Sequence, residues 1–178
     1  MSSLVAIDTI SNGSTSSAEL KITGIDNSFE RYLVIGTNIG TNYNTQLNIQ
    51  VTKSGTAFSS AVYDCVGYNL RSDYTSKLNR STTNNTSFQY IWNNMTGANM
   101  YNQETCFFYL YLTNFADATK YDYMQFASGV AESNGQQGYY APNSVCIVKD
   151  ASASDGILLR ENSNQLYTGE MTLYGIKG

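Results

Sequence analysis

Short runs of hydrophobic residues recur along this chain, and clusters of Asn, Gly, Ser and Asp separate them. The runs are rich in β-branched and aromatic residues, and helical periodicity is nearly absent. This pattern is typical of antiparallel strands joined by turns, as in a sandwich or a barrel. We therefore predict an all-β, antiparallel, jelly-roll-like β-sandwich of about 8–10 strands, formed as a single domain by residues 1–178.

The predicted strands are the stretches in which these residues alternate or cluster. They lie near Leu4–Ile10, Ala18–Thr23, Arg31–Gly36, Gln46–Thr52, Ala61–Tyr68, Phe88–Trp92, Thr105–Leu112, Tyr121–Ser128, Ser144–Lys149 and Glu170–Ile176. A further short strand is predicted near Ile157–Arg160. Two stretches between strands are predicted to be connections: Gly36–Gly40 forms a hairpin loop and the polar stretch Ser76–Ser87 a surface loop, since Asn and Gly tolerate left-handed backbone.

The stretch Gln46–Thr52 alternates cleanly between apolar and polar residues. In an extended strand such alternation places the two sets on opposite faces. The set predicted to face the core is Leu47, Ile49 and Val51, and the set predicted to face outward is Asn48 and Gln50.

The stretch Thr105–Leu112 is hydrophobic on both of its faces. One face carries Phe108, Leu110 and Leu112, and the other carries Phe107, Tyr109 and Tyr111. One cover for this strand is the sandwich core, and the other is either a long loop or a neighbouring subunit. A subunit cover would leave a large aromatic patch on the isolated chain, and such patches mark interaction sites. We therefore name Phe107, Tyr109 and Tyr111 as the candidate assembly interface.

Charged residues make up only 13% of the chain, and the formal net charge is −4. No run of Lys or Arg occurs, whereas binding to nucleic acid or to an anionic membrane needs clustered positive charge. No stretch is long and apolar enough to insert into a membrane. The surface must be built from Ser, Thr, Asn, Gln and Tyr, and this neutral surface suits packing against copies of the same chain or against a neutral glycan.

The amino terminus, Met1–Val5, has no basic region and no apolar run of secretory length. We therefore expect synthesis in a host cytoplasm without a signal peptide. A virion component released by lysis meets that description, and so does a plain cytoplasmic protein.

Catalysis has little support, because the chain has no His. This excludes Ser-His-Asp and Cys-His arrangements. Asp64, Asp73, Asp117 and Asp122 lie in separate segments, and we interpret them as solvated loop carboxylates rather than as a hydrolytic pair. The stretch Asp150–Gly156 resembles a calcium loop only faintly, because it lacks the ligand spacing and terminal Glu of an EF-hand. We expect a non-enzyme with no catalytic residues, no cofactor and no metal site.

The three cysteines, Cys65, Cys106 and Cys146, lie far apart and show no CxxC spacing. With no His to complete a zinc site, they are interpreted as small buried hydrophobic residues. One disulfide with a spare thiol is the alternative, and its pairing does not follow from the sequence.

Tyrosine dominates the composition, with 15 Tyr beside 7 Phe and 1 Trp. Tyr joins a large apolar ring to a polar tip at low entropic cost, so it is enriched in interfaces and recognition surfaces. Loops carrying Tyr63, Tyr68, Tyr74, Tyr139 and Tyr140 are candidates for stacking on sugars. Among them we name Tyr139 and Tyr140 as the candidate glycan contacts. The alternative is that most of these rings fill the core or subunit contacts.

Both ends of the chain follow a distinctive arrangement of strands. The last residues, Leu166–Lys177, read LYTGEMTLYGIK and fit a closing pattern G-x-I/M-x-L-Y-G-I-K. The opening has a strand at Leu4–Ile10, a second strand with Gly-Ile-Asp at Ala18–Asp26, and an aromatic strand at Phe29–Ile35. In these features the chain resembles small bacteriophage virion structural proteins of the fibre, tail or head-decoration type. Between them, at 37–164, only the strand pattern is shared.

The resemblance implies a bacteriophage virion structural protein with a jelly-roll-like sandwich and no catalytic residues. We hypothesise a tail-fibre or capsid-decoration subunit that acts through self-assembly and host attachment. Its partners would be itself, as a homotrimer by analogy with fibres, other virion proteins, and host surface glycan. Many copies on one particle would turn a weak contact into firm attachment. The alternative is a lectin-like receptor-binding module that recognises host surface glycan.

Overall fold

The fold consists of strands in the residues that the computed structural model describes, which are 3–12, 19–41, 47–71, 78–88, 106–132, 138–161 and 166–178. Their bounds are β1 (Ser3–Asn12), β2 (Glu19–Thr23), β3 (Arg31–Thr41), β4 (Leu47–Lys53), β5 (Thr56–Ala57), β6 (Tyr63–Arg71), β7 (Leu78–Asn85), β8 (Cys106–Thr113), β9 (Asp122–Glu132), β10 (Gly138–Val148), β11 (Gly156–Glu161) and β12 (Leu166–Lys177). Within these ranges no helix is long and apolar enough to cross a membrane. The predicted all-β class is confirmed, with more strands than expected because β5 and β7 also pair.

The strands form two antiparallel sheets wound as a jelly roll. The larger sheet has eight strands in the order β1-β12-β3-β8-β9-β10-β6-β7, and the smaller has four in the order β2-β11-β4-β5. Strands β1 to β4 alternate between the two sheets, while β12 inserts between β1 and β3, and β11 between β2 and β4. This interleaving is the jelly-roll winding. Strands β6, β7, β9 and β10 widen only the larger sheet.

One hydrophobic core lies between the sheets and draws on both of them. Phe108 from the larger sheet and Ile157 from the smaller are each 0% exposed. Tyr63 of β6 is also fully buried, and its hydroxyl accepts a hydrogen bond from Val51 N of β4 at 3.0 Å. The same hydroxyl donates to Phe58 O at 2.7 Å. Burial raises the pKa of Tyr63, so the hydroxyl stays protonated and links the two sheets.

Strand β4 is buried on both faces. The predicted core residues Leu47, Ile49 and Val51 are each 0% exposed, which confirms the alternation. Asn48 and Gln50 are buried as well, each at 4% exposed, so the expectation that the polar set faces solvent is wrong. Gln50 Nε2 donates to Thr86 O at 2.9 Å. The amide thus finds its partner in the segment that follows β7.

That segment also pairs with the backbone of β4. Phe88 is the one residue of the predicted strand Phe88–Trp92 that lies in the described ranges. It exchanges two backbone hydrogen bonds with Ile49, at 2.8 and 3.1 Å. Its ring is 0% exposed and meets Phe126 of the larger sheet edge to face, with centroids 6.2 Å apart. The segment therefore contributes both to the smaller sheet and to the core.

Two predicted connections are strands instead. The sequence predicts a hairpin loop at Gly36–Gly40, but β3 continues through it to Thr41. Asn38 has a positive φ of 53°, and the register shifts there between Gly36 and Ile39, so the Asn and Gly signal marks a β-bulge. The surface loop predicted at Ser76–Ser87 is likewise wrong, because β7 occupies most of it.

The strand register settles how the cysteines pair. Cys65 of β6 and Cys146 of β10 are direct neighbours across the strands, with Cα atoms 4.1 Å apart, and a disulfide joins them. Cys106 is a buried free thiol. Burial raises the pKa of Cys106, so the thiol stays protonated and packs as a small hydrophobic group.

Candidate assembly surface

Strand β8 shows the two hydrophobic faces that the sequence predicts. Its inward side chains are each 0% exposed: Phe108, Leu110 and Leu112. On the opposite face Phe107, Tyr109 and Tyr111 are 50%, 42% and 48% exposed. Within the described residues these three rings are therefore not covered by a loop of the chain. Both expected covers, a long loop and a neighbouring subunit, stay predictions.

The exposed rings of β8 continue into a wider apolar surface of the larger sheet. Along one row of cross-strand neighbours Tyr111 lies opposite Gln125, Gln125 opposite Val145, and Val145 opposite Val66. Tyr123 lies two residues before Gln125 and shares its face. The large apolar residues of this surface that are at least 42% exposed define what we call the outer aromatic face: Val66, Leu70, Phe107, Tyr109, Tyr111, Tyr123 and Val145.

The outer aromatic face is closed on its β3 side by residues of the chain itself. Leu33 lies on the outward side of β3, between Tyr111 of β8 and Tyr174 of β12. It is only 5% exposed although it does not belong to the core between the sheets. Leu33 is therefore covered on the outer side of the sheet. From β8 to β6, the outward apolar side chains among the described residues remain exposed.

The ring of Phe107 packs against two neighbours on the outer aromatic face. Gly129 lies opposite it on β9, and a Cβ there would come within 2.7 Å of Phe107 Cε1. Glycine leaves the space that the ring occupies. Phe107 also meets Tyr109 edge to face, with ring centroids 5.9 Å apart. Such contacts position aromatic rings before any partner arrives.

Charges border the outer aromatic face at one end. Asp64 accepts hydrogen bonds from Lys149 Nζ at 2.9 Å and from Asn84 N at 2.8 Å. These two donors lower the pKa of Asp64, so the carboxylate is ionised and paired. Arg31 lies across the sheet at the same end, opposite Thr113.

Two of the five tyrosines predicted to contact glycan have described side chains, Tyr63 and Tyr68. Tyr139 and Tyr140 lie in β10 opposite Ala131 and Val130, and their side chains are outside the described part of the chain. Tyr63 is 0% exposed, so a glycan contact there is wrong and the core interpretation is correct. Of the two remaining candidates, one is partly buried on β6 and the other lies outside the described residues: Tyr68 and Tyr74.

Asp122 is buried, whereas the sequence predicts a solvated loop carboxylate. It is 0% exposed, and Ser154 Oγ donates to its Oδ2 at 2.6 Å. Loss of hydration raises the pKa of Asp122 to about 7, although the bond from Ser154 acts the other way. Asp64 and Asp117 are paired instead with lysines at the surface. Asp73 lies outside the described residues.

The loop Asp150–Gly156 uses its carboxylates in internal contacts. Asp155 accepts hydrogen bonds from Thr52 Oγ1 at 2.6 Å and Gly55 N at 2.7 Å. Asp150 pairs with Lys53. In the part of the chain that the structure describes, no three Asp, Glu or Cys side chains are grouped to hold a metal ion. These carboxylates fasten the loop to the end of β4.

A cleft of about 380 Å³ opens beside the outer aromatic face, at the end marked by Arg31. Its walls are the loop between β2 and β3 and the loop between β8 and β9. Four charged side chains line it: Glu30, Arg31, Asp117 and Lys120. It is polar and open, in contrast to the apolar face next to it.

No family model matches the chain, and no curated protein matches it. Among solved structures it is similar to congerin II with lactose and MES bound, at 11% identity over 89% of this chain and 99% of that chain, with a TM-score of 0.31. A single-substitution variant of congerin II matches at 12% identity over 80% of this chain and 99% of that chain, with a TM-score of 0.24. TM-scores this low do not establish a shared fold.

Proposed function

We propose that this chain is a bacteriophage virion structural protein, a fibre or capsid-decoration subunit that assembles with copies of itself and carries out no catalysis. The outer aromatic face carries the proposal. A soluble monomer seldom leaves a contiguous row of half-exposed rings such as Phe107, Tyr109 and Tyr111 facing water, because such patches mark contact sites.

The closing sequence supports the comparison with small virion proteins. Leu173 is 0% exposed in the core. Gly175 leaves room for the ring of Phe29, which would lie 2.4 Å from a Cβ at that position. The pattern therefore falls on residues that the jelly roll requires. It favours a shared fold with virion proteins that end in the same way, and the role in the virion is the step that we add.

The occupant that best fits the outer aromatic face is a second copy of this chain. Four strands from β8 to β6 spaced ~4.8 Å apart, with three side-chain rows ~6.8 Å apart, give a face of roughly 400 Å². The smaller standard interfaces bury about 600 Å² on each partner, so a subunit contact would include this face and some of the surface around it. The middle of the face is neutral, so it attracts neither a basic nor an acidic partner, and another neutral apolar surface can pack against it.

Closed symmetry covers this face on every copy. By the resemblance to fibre proteins we propose a homotrimer, with the outer aromatic face of each copy turned toward the threefold axis. Other virion proteins would contact the remaining surfaces. Attachment to the host would gain from the number of copies on one particle.

The proposed surface is tested by removing rings without changing charge. The double variant Tyr109→Ser, Tyr111→Ser should sediment as a monomer at concentrations where the unmodified chain is oligomeric. Tyr121→Ser is the matched control, since it removes a ring of similar exposure, 47%, from the loop before β9. Circular dichroism verifies that both variants fold. Identical oligomers for all three chains would refute assembly through this face.

The role in the virion is tested on particles. Mass spectrometry of purified virions should find this chain at a fixed copy number, and a particle reconstruction should locate it. If purified virions do not contain the chain, the proposed virion role is refuted, whereas the proposed self-assembly is not.

A lectin-like receptor-binding module is a second candidate. The polar cleft favours it, because it lies beside the proposed assembly surface and is open to solvent. A glycan array tests for binding, and Tyr139→Ala and Tyr140→Ala test the predicted tyrosine contacts. An array without hits, together with unchanged host adsorption of both variants, would eliminate this candidate.

A further inference from the structure

The β2–β3 loop forms the first wall of the cleft, and its backbone is fixed by hydrogen bonds. The hydroxyl of Tyr32 donates to Asp26 O at 2.5 Å and accepts from Asp26 N at 3.0 Å. Ser28 N donates to Asp26 Oδ1 at 2.8 Å. The ring of Phe29 then packs over Gly175 and meets Tyr32 edge to face at 5.7 Å. One aromatic ring therefore holds a set position in this wall.

The β8–β9 loop forms the second wall, and it too is fixed. Asn114 adopts a positive φ of 67°, accepts from Asp117 N at 2.9 Å, and donates through Nδ2 to Tyr121 O at 3.2 Å. Asp117 accepts from Lys120 Nζ at 2.8 Å and Thr119 Oγ1 at 2.6 Å. Lys120 and Thr119 hold the pKa of Asp117 well below its usual range. A site with fixed walls loses little entropy when a ligand binds.

The charges of the cleft balance. Glu30 and Asp117 supply two carboxylates, while Arg31 and Lys120 supply two cations. An anionic or cationic ligand would give up hydration and meet no surplus of opposite charge. A neutral ligand avoids that cost. The balance therefore favours a neutral, strongly hydrogen-bonding ligand over a phosphate or an amine.

The remaining lining residues narrow the class of ligand. Asn27 and Asn114 each offer an amide that can donate and accept, and Phe29 offers part of a ring. Hydroxyl groups on a sugar donate and accept in the same way, and the C–H face of a sugar packs on an aromatic ring. The volume of about 380 Å³ lies within the range of about 300–1,000 Å³ found for small-molecule sites. We propose that this cleft binds a neutral saccharide of one or two sugar rings.

The position of the cleft adds a consequence for the assembly. Arg31 lies opposite Thr113, and Thr113 opposite Tyr123 of the outer aromatic face. The cleft therefore lies at the rim of the proposed subunit contact, and an oligomer would present one cleft from each copy. The resulting gain in avidity rests on the assembly proposed above, whereas binding by a single cleft does not.

The experiment is saturation-transfer NMR and calorimetric titration with the methyl glycosides of glucose, galactose, mannose and N-acetylglucosamine. At least one should bind with a dissociation constant on the order of 1 mM. Glu30→Ala and Asn27→Ala should each weaken it at least fivefold. Glu170→Ala is the matched control, because it removes an exposed carboxylate six residues along β12 from the partner of Arg31, ~20 Å away. Its affinity should be unchanged.

Two further arms separate this site from the assembly and from ion binding. The monomeric double variant Tyr109→Ser, Tyr111→Ser should bind the same glycoside with the same affinity, so failed assembly and a failed site give different results. Inorganic phosphate and glutamate should not compete. No glycoside binding, binding untouched by both cleft variants, or competition by phosphate or glutamate would each overturn the proposal.

Discussion

Phe107 and Gly129 face each other across β8 and β9, and the ring of Phe107 occupies the space that a side chain at position 129 would need. The arrangement recurs on the inner face of the same sheet. There Gly36 of β3 lies opposite Phe108, and a Cβ at Gly36 would come within 2.1 Å of the Phe108 ring. One pair is exposed on the outer aromatic face, while the other is sealed in the core.

Because one ring is buried and the other is half-exposed, replacing its glycine neighbour by alanine should lower the free energy of unfolding by different amounts. Gly36→Ala should lower the free energy of unfolding by about 1–3 kcal/mol, because the buried ring of Phe108 has no free space to move into. Gly129→Ala should cost less than about 0.5 kcal/mol, because the half-exposed ring of Phe107 can swing outward. Urea unfolding of both variants, followed by circular dichroism, measures the two values. Equal losses would contradict the assignment of the two faces.

The hydroxyl of Tyr63 predicts a second stability difference. Tyr63→Phe leaves Val51 N and Phe58 O without their buried partner, which should cost about 1–3 kcal/mol. Tyr123→Phe is the control, since it removes a hydroxyl from a side chain that is 46% exposed, and it should be close to neutral. Thermal unfolding of the two variants makes the comparison. A neutral Tyr63→Phe would mean that this link between the sheets contributes nothing.

Asp122 predicts how stability changes with pH. Its pKa is about 7 in the folded chain, against 3.8 for an ordinary Asp. Between those values the folded state keeps a proton that the unfolded state has lost, so this group's contribution is complete below about pH 4 and is lost as pH rises through about 7. The free energy of unfolding lost in this way is at most on the order of 4 kcal/mol. Asp122→Asn, which retains an acceptor for Ser154, should abolish this pH-dependent loss.

Comparing the unmodified chain with the Asp122→Asn variant isolates the contribution of Asp122. Asp64, Asp117 and Asp150 have lowered pKa values, so their contributions are lost as pH falls below the ordinary range of Asp. Those three groups are the same in both chains and cancel in the difference. Unfolding free energies from pH 4 to pH 8 should therefore converge at the acid end and diverge at neutral pH, with Asp122→Asn the more stable. Parallel curves would show that Asp122 is hydrated.

The cysteine arrangement predicts a simple count of thiols. The folded, unreduced chain should give no rapid reaction with a thiol reagent, because Cys106 is buried and its pKa is raised by burial. After denaturation one thiol should react, and after reduction all three. Three reactive thiols in the denatured, unreduced chain would contradict the pairing of Cys65 with Cys146.

The sequence predicts those features that are local to one strand. Alternation identifies the core residues of β4 and both faces of β8, because side chains of a strand change face at every residue. The polar strand β7 gives no such signal. It is an edge strand made mostly of Asn, Ser and Thr residues, and backbone pairing with β6 places it. The Asn and Gly residues near Asn38 indicate a left-handed backbone, which a bulge needs as much as a turn does.

Features made by distant segments could not be predicted in this way. The burial of Gln50 depends on the segment that follows β7, and the burial of Asp122 goes with its bond to Ser154, which lies in another loop. The cleft joins residues near Glu30 to residues near Asp117, and only the pairing of β3 with β8 brings them together. Each of these features depends on contacts between parts of the chain that are far apart in sequence.

Sedimentation equilibrium of the unmodified chain, across a tenfold range around 10 μM, decides whether the outer aromatic face joins copies of the protein. A mass of three times the 19.6 kDa of one chain is the predicted result. A constant mass of 19.6 kDa, with Tyr109 and Tyr111 open to solvent, would contradict self-assembly through this face.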